Sequence, residues 1–457
     1  MDKVKEFYTF TSYRIIGCDM LKELTLENFL SFDRVGMKLT DKGNRPLNHA
    51  FIYGENGSGK TNLIDSLMML GRSTLTLISE ENGGSENDNL KKLLDALRTE
   101  NIDIRIKYEP KDVSSLAGEY RMISSEGPMI LSFVFSIDGH DARYTLEFDE
   151  DNTLRSESLD FIISKKSGNL FRFTRDEKRM QKDLVSQSYR KEINDLLVKY
   201  WGRHTFLSIL TREESLKNVK FMTDNISASL YTFLRYVRSL VIVKKDARFA
   251  QTGKQIQLPS GTIPAGDRPI LDNAEMILSK FFTRLYSDVT QVHFLTENLN
   301  DNRIRYDLYF EKRIAGTVRS IPAEKESSGT KNLMNMLQFL LQCADGKTVV
   351  IDEMDTGIHD LLVSQLMEQC IPDIDGQLIA TTHNTALMDY SNALNTFIIE
   401  IDRNGFKRIR NIQSIEPPNV NTNVQKRYLQ GHYSGIPLVA DIGLKDILLE
   451  SKKMGSE

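Results

Sequence analysis

Apolar and polar positions alternate from Met20 through Leu21-Lys22-Glu23-Leu24-Thr25-Leu26-Glu27, the period-two pattern of a half-buried strand. His49-Ala50-Phe51-Ile52-Tyr53 is a short apolar run that enters a glycine-rich loop. Thr61 to Leu70, rich in Leu, Ile and Met, predicts the helix that follows. Glu80 to Asp88 is acidic and glycine-rich and predicts a mobile loop. Strands are predicted at Ile102–Tyr108, Met129–Ile137, Arg143–Phe148 and Ser158–Ile163. The turn residues Asp138-Gly139-His140-Asp141 close a hairpin between the second and third of these. Asp176 to Tyr200 and Asn225 to Val237 carry apolar residues at helical spacing, and Pro259 to Pro269, with three prolines and two glycines, predicts a loop. A helix is expected at Ala274–Tyr286 and strands at Val292–Leu295 and Ile304–Phe310. Two further apolar strands end in chemistry: Thr348–Ile351 runs into Asp352-Glu353, and Leu378–Thr382 runs into His383. No internal repeat is visible.

A chain of 457 residues has room for two or three packed units, and its 40% hydrophobic and 27% charged residues are those of a globular protein. The net charge of −4 gives no global pull toward nucleic acid or anionic lipid, so such a contact requires a local patch. Ser164 to Lys191 offers one: nine basic residues, among them Lys165, Lys166, Arg172 and Arg175, stand against three acidic ones, with Phe171 and Phe173 between them, a run that reads first as a solvated hairpin-plus-helix face and second as a contact for DNA or an acidic protein. The three cysteines, Cys18, Cys343 and Cys370, match no zinc spacing and suit a reducing cytoplasm. No run of about eighteen apolar residues exists, and the N-terminus lacks a signal layout, so a cytoplasmic protein without membrane contact is expected.

Gly54-Glu55-Asn56-Gly57-Ser58-Gly59-Lys60-Thr61 fits Gly-x-x-x-x-Gly-Lys-[Ser/Thr] and has a strand before it and a helix after it. Glycines let backbone N–H groups turn inward around phosphates, and the helix N-terminus adds a favourable field. Lys60 is placed to reach the β- and γ-phosphates of ATP, and the Thr61 hydroxyl to ligate Mg²⁺. Behind this loop, Asp352 is placed to hold the Mg²⁺ shell and Glu353 to orient or deprotonate the attacking water. His383 is a candidate contact for the γ-phosphate or that water. Ser327-Ser328-Gly329 opens the apolar helix Leu333–Leu341, a second candidate anion site.

In this order the motifs resemble the ABC-type ATPases of the SMC/RecF-like group, and Leu24-Thr25-Leu26-Glu27-Asn28-Phe29-Leu30-Ser31-Phe32 is similar to that group's first strand. The match covers roughly residues 20–70 and 319–389. It implies that Ser327, Ser328 and Gly329 form the signature loop, Asp355 the D-loop and His383 the switch histidine. It also implies a head-to-head homodimer, or a higher homo-oligomer, in which the signature loop of one copy completes the ATP site of the other. Three positions depart from the group's pattern. The signature reads Ser-Ser-Gly-Thr, Leu30 stands where a basic residue is usual, and no glutamine occupies a recognisable Q-loop, Arg212 lying in its neighbourhood.

The expected fold is therefore α/β: a two-lobed, SMC/RecF-like P-loop ATPase head with a helical insertion between the P-loop and the signature. The boundaries read as an N-terminal extension (1–19), lobe I with a β-subdomain (20–175), a mainly helical insertion (176–290), lobe II (291–412) and a tail (413–457). The extension is expected to be dispensable for the ATPase core. Lys426-Arg427-Tyr428-Leu429-Gln430-Gly431-His432-Tyr433-Ser434-Gly435-Ile436-Pro437 resembles the ending of compact anti-phage defence ATPases of the AbiL and AriA (PARIS) type. That resemblance implies a separate effector, a Toprim nuclease or a toxin, triggered by a phage protein or DNA. The ATPase itself is expected to have no nuclease domain. The tail from Arg427 to Leu449 reads either as a docking element or as a cover for lobe II. A RecF-like DNA repair ATPase and an ATP-stabilised scaffold with little turnover are the alternatives.

Overall fold

The computed structural model describes residues 19–83, 112–163, 166–244, 248–250, 258–299, 302–390, 393–415 and 423–436. The strand expected at Ile102–Tyr108 and the extension before Asp19 lie outside these residues.

Three sheets organise the described residues. The first is antiparallel and formed by β1 (Met20–Phe29), β2 (Phe32–Lys38), β4 (Met129–Ile137), β5 (His140–Phe148), β6 (Leu154–Ile163), β7 (Lys166–Thr174) and β8 (Lys178–Met180), in the order β2-β1-β4-β5-β6-β7-β8. The β4–β5 hairpin closes where the sequence places it. Asp138 and Gly139 both have positive φ, 50° and 77°, as a two-residue turn matched to strand twist requires.

The second sheet carries the chemistry. It contains β3 (His49–Gly54), β9 (Val241–Val243), β10 (Arg248–Ala250), β15 (Thr348–Ile351), β16 (Gln377–Thr381), β17 (Thr396–Ile401) and β18 (Lys407–Asn411). The order is β10-β9-β15-β16-β3-β17-β18; β9, β15, β16, β3 and β17 run parallel, and the edge strands β10 and β18 are antiparallel. The middles of the parallel strands are apolar because both faces are covered. Along β3, Ala50 and Ile52 enter one core while Phe51 and Tyr53 enter the other. The first core also holds α1 (Lys60–Ser73) and the inner face of the antiparallel sheet. The second holds the helices Arg268–Leu285 and Ser328–Ala344.

The third sheet packs in that second core: β11 (Ser260–Pro264), β12 (Val289–Asn298), β13 (Arg303–Ile314) and β14 (Thr317–Pro322). Several expectations change in the structure. Pro259–Pro269 is not wholly a loop: its proline-bounded middle is β11, an edge strand paired to β13 alone, a place where missing N–H donors are tolerated. Asp176–Tyr200 is not one helix either: β8 occupies its start, and the helix begins at Gln187, capped by Ser186. The expected loop Glu80–Asp88 begins as the end of the helix Thr76–Gly83, and its remainder lies outside the described residues. The stretch 176–290 holds four helices between Gln187 and Ser239, but also β9, which pairs with β15 in the central sheet.

Gln377 locks the first two sheets together. Its fully buried amide accepts from Leu21 N at 2.9 Å and donates to the carbonyls of Leu21 and Leu47 at 2.9 and 2.8 Å. No described helix is long and apolar enough to cross a membrane.

Candidate functional site

The loop between β3 and α1 is built on left-handed backbone. Gly54, Gly57 and Gly59 have φ of 156°, 80° and 107°. A Cβ at Gly59 would stand 2.7 Å from Phe32 Cζ, and one at Gly54 would stand 2.6 Å from Ser58 Oγ, so both glycines are also required by space. Helix α1 has no side-chain cap and no acidic residue in its first turn. Its first N–H groups are thus unspent on side chains, an arrangement that favours an anion. Inside the same loop, Ser58 Oγ is buried and has no hydrogen-bond partner among the described residues. A phosphate group fits these unmet donors.

Lys60 is buried and folds its ammonium back onto the carbonyls of Gly54 and Glu55, at 2.8 and 3.1 Å. Burial pulls its pKa below the ordinary lysine value, and the carboxylates of Asp352, Glu353 and Asp355 act in the opposite direction. Asn56 and Gly57 form the exposed crest of the loop, and Glu55 is half-buried below them.

Strand order brings the remaining groups to this loop. Since β15, β16 and β3 are parallel neighbours, their C-terminal ends share one edge of the sheet. Thr61 Oγ1 donates to Asp352 Oδ2 at 2.8 Å, and Thr381 Oγ1 donates to Asp352 Oδ1 at 2.6 Å. Glu353 N donates to Thr381 Oγ1 at 2.7 Å. Glu353 is exposed and has a φ of 50°, a left-handed conformation unusual for a side chain of its size. Asp355 Oδ2 accepts from His383 N at 3.2 Å, so the two strand-end loops are tied, and His383 is itself exposed.

Ser327, Ser328 and Gly329 lie elsewhere. Ser327 caps the Ser328–Ala344 helix, its Oγ accepting from Thr330 N at 3.1 Å. Asn332 Nδ2 donates to Thr356 O at 2.8 Å, and a Cβ on Gly329 would come within 2.9 Å of Gly357 O. This segment therefore packs on the turn that follows Asp355. Among the described residues no hydrogen bond joins it to the P-loop of its own chain. Ser327 and Ser328 are exposed.

Two groups at the site escape sequence reasoning. Thr381 is fully buried and orients both Asp352 and Glu353; its signal was a hydroxyl at the end of an apolar parallel strand. Lys407, on β18, donates to Gly57 O at 2.8 Å and to Ser31 Oγ at 2.6 Å. Arg212 is bound elsewhere, to Glu81 at 3.1 Å and Glu213 at 2.8 Å, so its guanidinium is committed to the helical region.

A family model described as "AAA domain, putative AbiEii toxin, Type IV TA system" (AAA_21) matches residues 50–389, from β3 to the segment beyond His383. The chain belongs to this AAA family. The match spans every site residue named above except Ser31 and Lys407. No curated protein matches this AAA-family chain. Similar solved structures include the SMC head domain from Thermotoga maritima, 14% identical, with a TM-score of 0.36, covering 86% of this chain and 98% of that one. Another is the Smc head domain with an extended coiled coil from Pyrococcus furiosus, bound to the C-terminal domain of ScpA. It is 15% identical, with a TM-score of 0.40, covering 86% of this chain and 96% of that one.

Proposed function

We propose that this chain hydrolyses ATP at composite sites between two copies arranged head to head, and that the ATP-bound pair regulates a separate effector, a nuclease or toxin, in anti-phage defence. The observation that carries the ATPase reading is the linked set Thr61–Asp352–Thr381–Glu353 at the mouth of the P-loop. Two oxygens suited to Mg²⁺ and one exposed carboxylate are held in fixed relation to the lysine of the loop.

In this reading the Lys60 ammonium leaves its two loop carbonyls for oxygens of the β- and γ-phosphates. Thr61 Oγ1 and Asp352 would hold Mg²⁺, which neutralises charge on those phosphates when bound. Glu353 accepts the proton of the attacking water. Asp355 fixes the backbone of His383, whose ring then donates to the γ-phosphate or positions the water. Ser327, Ser328 and Gly329, facing solvent in one copy, present their helix N-terminus to the ATP bound by the other.

The defence role draws on the printed description of the family, which refers to a toxin of a toxin–antitoxin system. It also draws on the resemblance of the Lys426–Pro437 stretch to compact defence ATPases. A DNA-repair role has less support. Phe171 and Phe173 of the basic stretch are core residues stacked on each other and edge-on to Phe206. Arg175 pairs with Asp149 at 2.8 Å, and Arg190 donates to main-chain carbonyls of Gln181 and Val185.

Complementation tests the composite site. Lys60→Ala and Ser328→Arg each inactivate both sites of a homodimer. Mixed heterodimers carry both lesions in one site and leave the other intact, so mixing restores about a quarter of wild-type turnover. Mixtures as inactive as the separate variants contradict the shared site.

A further inference from the structure

The geometry points to Lys407 as a second nucleotide-binding lysine, contacting the phosphate oxygens on the side of the P-loop away from Asp352. This rests on the ATP reading of the loop and extends it to a strand that no motif marks.

β18 is the antiparallel edge of the central sheet, and Lys407 opens it, opposite Ile401. Its stem passes the ring of Phe32, 5.8 Å from the ammonium, and the ammonium ends on Gly57 O at 2.8 Å and Ser31 Oγ at 2.6 Å. Asn62 Nδ2 donates to that same Ser31 hydroxyl at 2.6 Å. Ser31 is itself fixed, because the β1–β2 turn is held by Leu30 N donating to Tyr120 O at 2.8 Å and by Asn28 Nδ2 donating to the carbonyls of Glu126 and Pro128 at 2.9 Å.

The electrostatics separate the two sides of the loop. Lys60 faces three carboxylates, Asp352, Glu353 and Asp355, and that side suits a divalent cation. Lys407 has only neutral acceptors, a carbonyl and a hydroxyl, and forms no ion pair among the described residues. Further along the same strand, Arg410 pairs with Glu400 at 3.4 Å in the ordinary cross-strand way. A half-buried ammonium held by neutral groups loses hydration without gaining an opposite charge, and burial lowers its pKa accordingly. A phosphate oxygen at the loop supplies the missing charge.

Direction along the nucleotide follows from helix geometry. Thr61 and Asn62 are successive residues of α1 and point about 100° apart. Thr61 bonds Asp352, and Asn62 bonds the serine that Lys407 holds. Thr61 and Asp352 would hold Mg²⁺ on the side of the P-loop lysine, which in this reading serves the β- and γ-phosphates. Lys407 therefore lies toward the α- and β-phosphates, which ATP and ADP share.

The test is calorimetric titration of ATP and ADP, each with and without Mg²⁺, into the full chain and into Lys407→Met and Lys407→Arg. Methionine keeps an apolar stem beside Phe32 and removes the charge. Expected are Kd values for ATP and ADP raised together by about tenfold in the Met variant, with the Mg²⁺ dependence kept, recovery in the Arg variant, and an unchanged melting temperature without nucleotide. Unaltered affinity in Lys407→Met overturns the assignment. So does an affinity loss that comes with a lowered nucleotide-free melting temperature and is not recovered by arginine, which marks Lys407 as a brace of the loop. Failure of the wild-type chain to bind either nucleotide overturns the ATP reading itself, and this assignment with it.

Discussion

Replacing Thr381 by valine keeps the shape of the side chain and removes one oxygen. That oxygen donates to Asp352 at 2.6 Å and accepts from Glu353 N at 2.7 Å, on a residue with 0% exposure. Valine leaves the Glu353 amide without an acceptor, a cost of about 1–3 kcal/mol, and removes a charge-assisted bond of roughly similar size. Asp352 is only half-buried, so water recovers part of the second loss, and a net destabilisation of about 2–3 kcal/mol is expected. The functional effect is separate. Asp352 keeps its bond from Thr61 but loses the donor that fixes its other oxygen, and losing such an orienting partner costs about 10–100-fold in metal affinity or activity. ATP turnover measured across a Mg²⁺ titration should show the half-saturating concentration raised by about tenfold or more in Thr381→Val. Thr381→Ser, which keeps the hydroxyl, should behave like the wild type. A valine variant with the wild-type Mg²⁺ dependence would refute the proposed role of Thr381.

Two further outcomes test the packing behind the site. Burial pushes the Glu157 carboxyl from 4.5 up to about 7, while Tyr144, Trp201 and Phe206 N donate to it. A carboxyl whose folded pKa is raised stabilises the fold fully below its unfolded value. That contribution, about 3 kcal/mol, is lost as pH rises through about 7. The wild type's stability to denaturant should therefore fall between about pH 4.5 and 7 and level off above that range. Glu157→Gln should flatten this part of the profile, and an unchanged slope would exclude Glu157 as its source. Tyr428 is 6% exposed, lies 5.9 Å from the Tyr53 ring and donates to Gly435 O at 2.8 Å. Tyr428→Ala should cost about 3–5 kcal/mol of stability, read by thermal melting. An unchanged melting temperature would return this part of the tail to a docking role.

Legibility in the sequence followed how local each interaction is. The P-loop could be read because its glycines, lysine and threonine are contiguous and its geometry is set within one turn. The placement of Asp352, Glu353 and His383 beside the P-loop could be expected because each follows an apolar strand. Thr381 and Lys407 could not, since their meaning lies in contacts across 29 positions to Asp352 and 376 to Ser31. The same holds for the basic stretch. Phe171 and Phe173 looked like aromatics interleaved with charge, but alternation along β7 turns both inward. Pro259 and Pro264 looked like loop residues, and only the pairing with β13 shows the segment between them as an edge strand. In the tail, Tyr428 and Tyr433 read either as interface anchors or as part of a cover for lobe II; both are buried in the second core, and Gly435 approaches Gly54 at the start of the P-loop. Aromatic anchors look the same in sequence whether they dock a partner or close their own fold.

Glu353 is proposed as the base of an ATPase whose P-loop is already formed. The most direct measurement compares steady-state ATP turnover and equilibrium ATP binding in the wild type and in Glu353→Gln. Glutamine preserves a hydrogen bond to water but cannot take its proton, so turnover should fall by about 100-fold or more while ATP affinity stays within about threefold of the wild type. Wild-type turnover in Glu353→Gln, or ATP binding by the wild type without any turnover, would contradict the account.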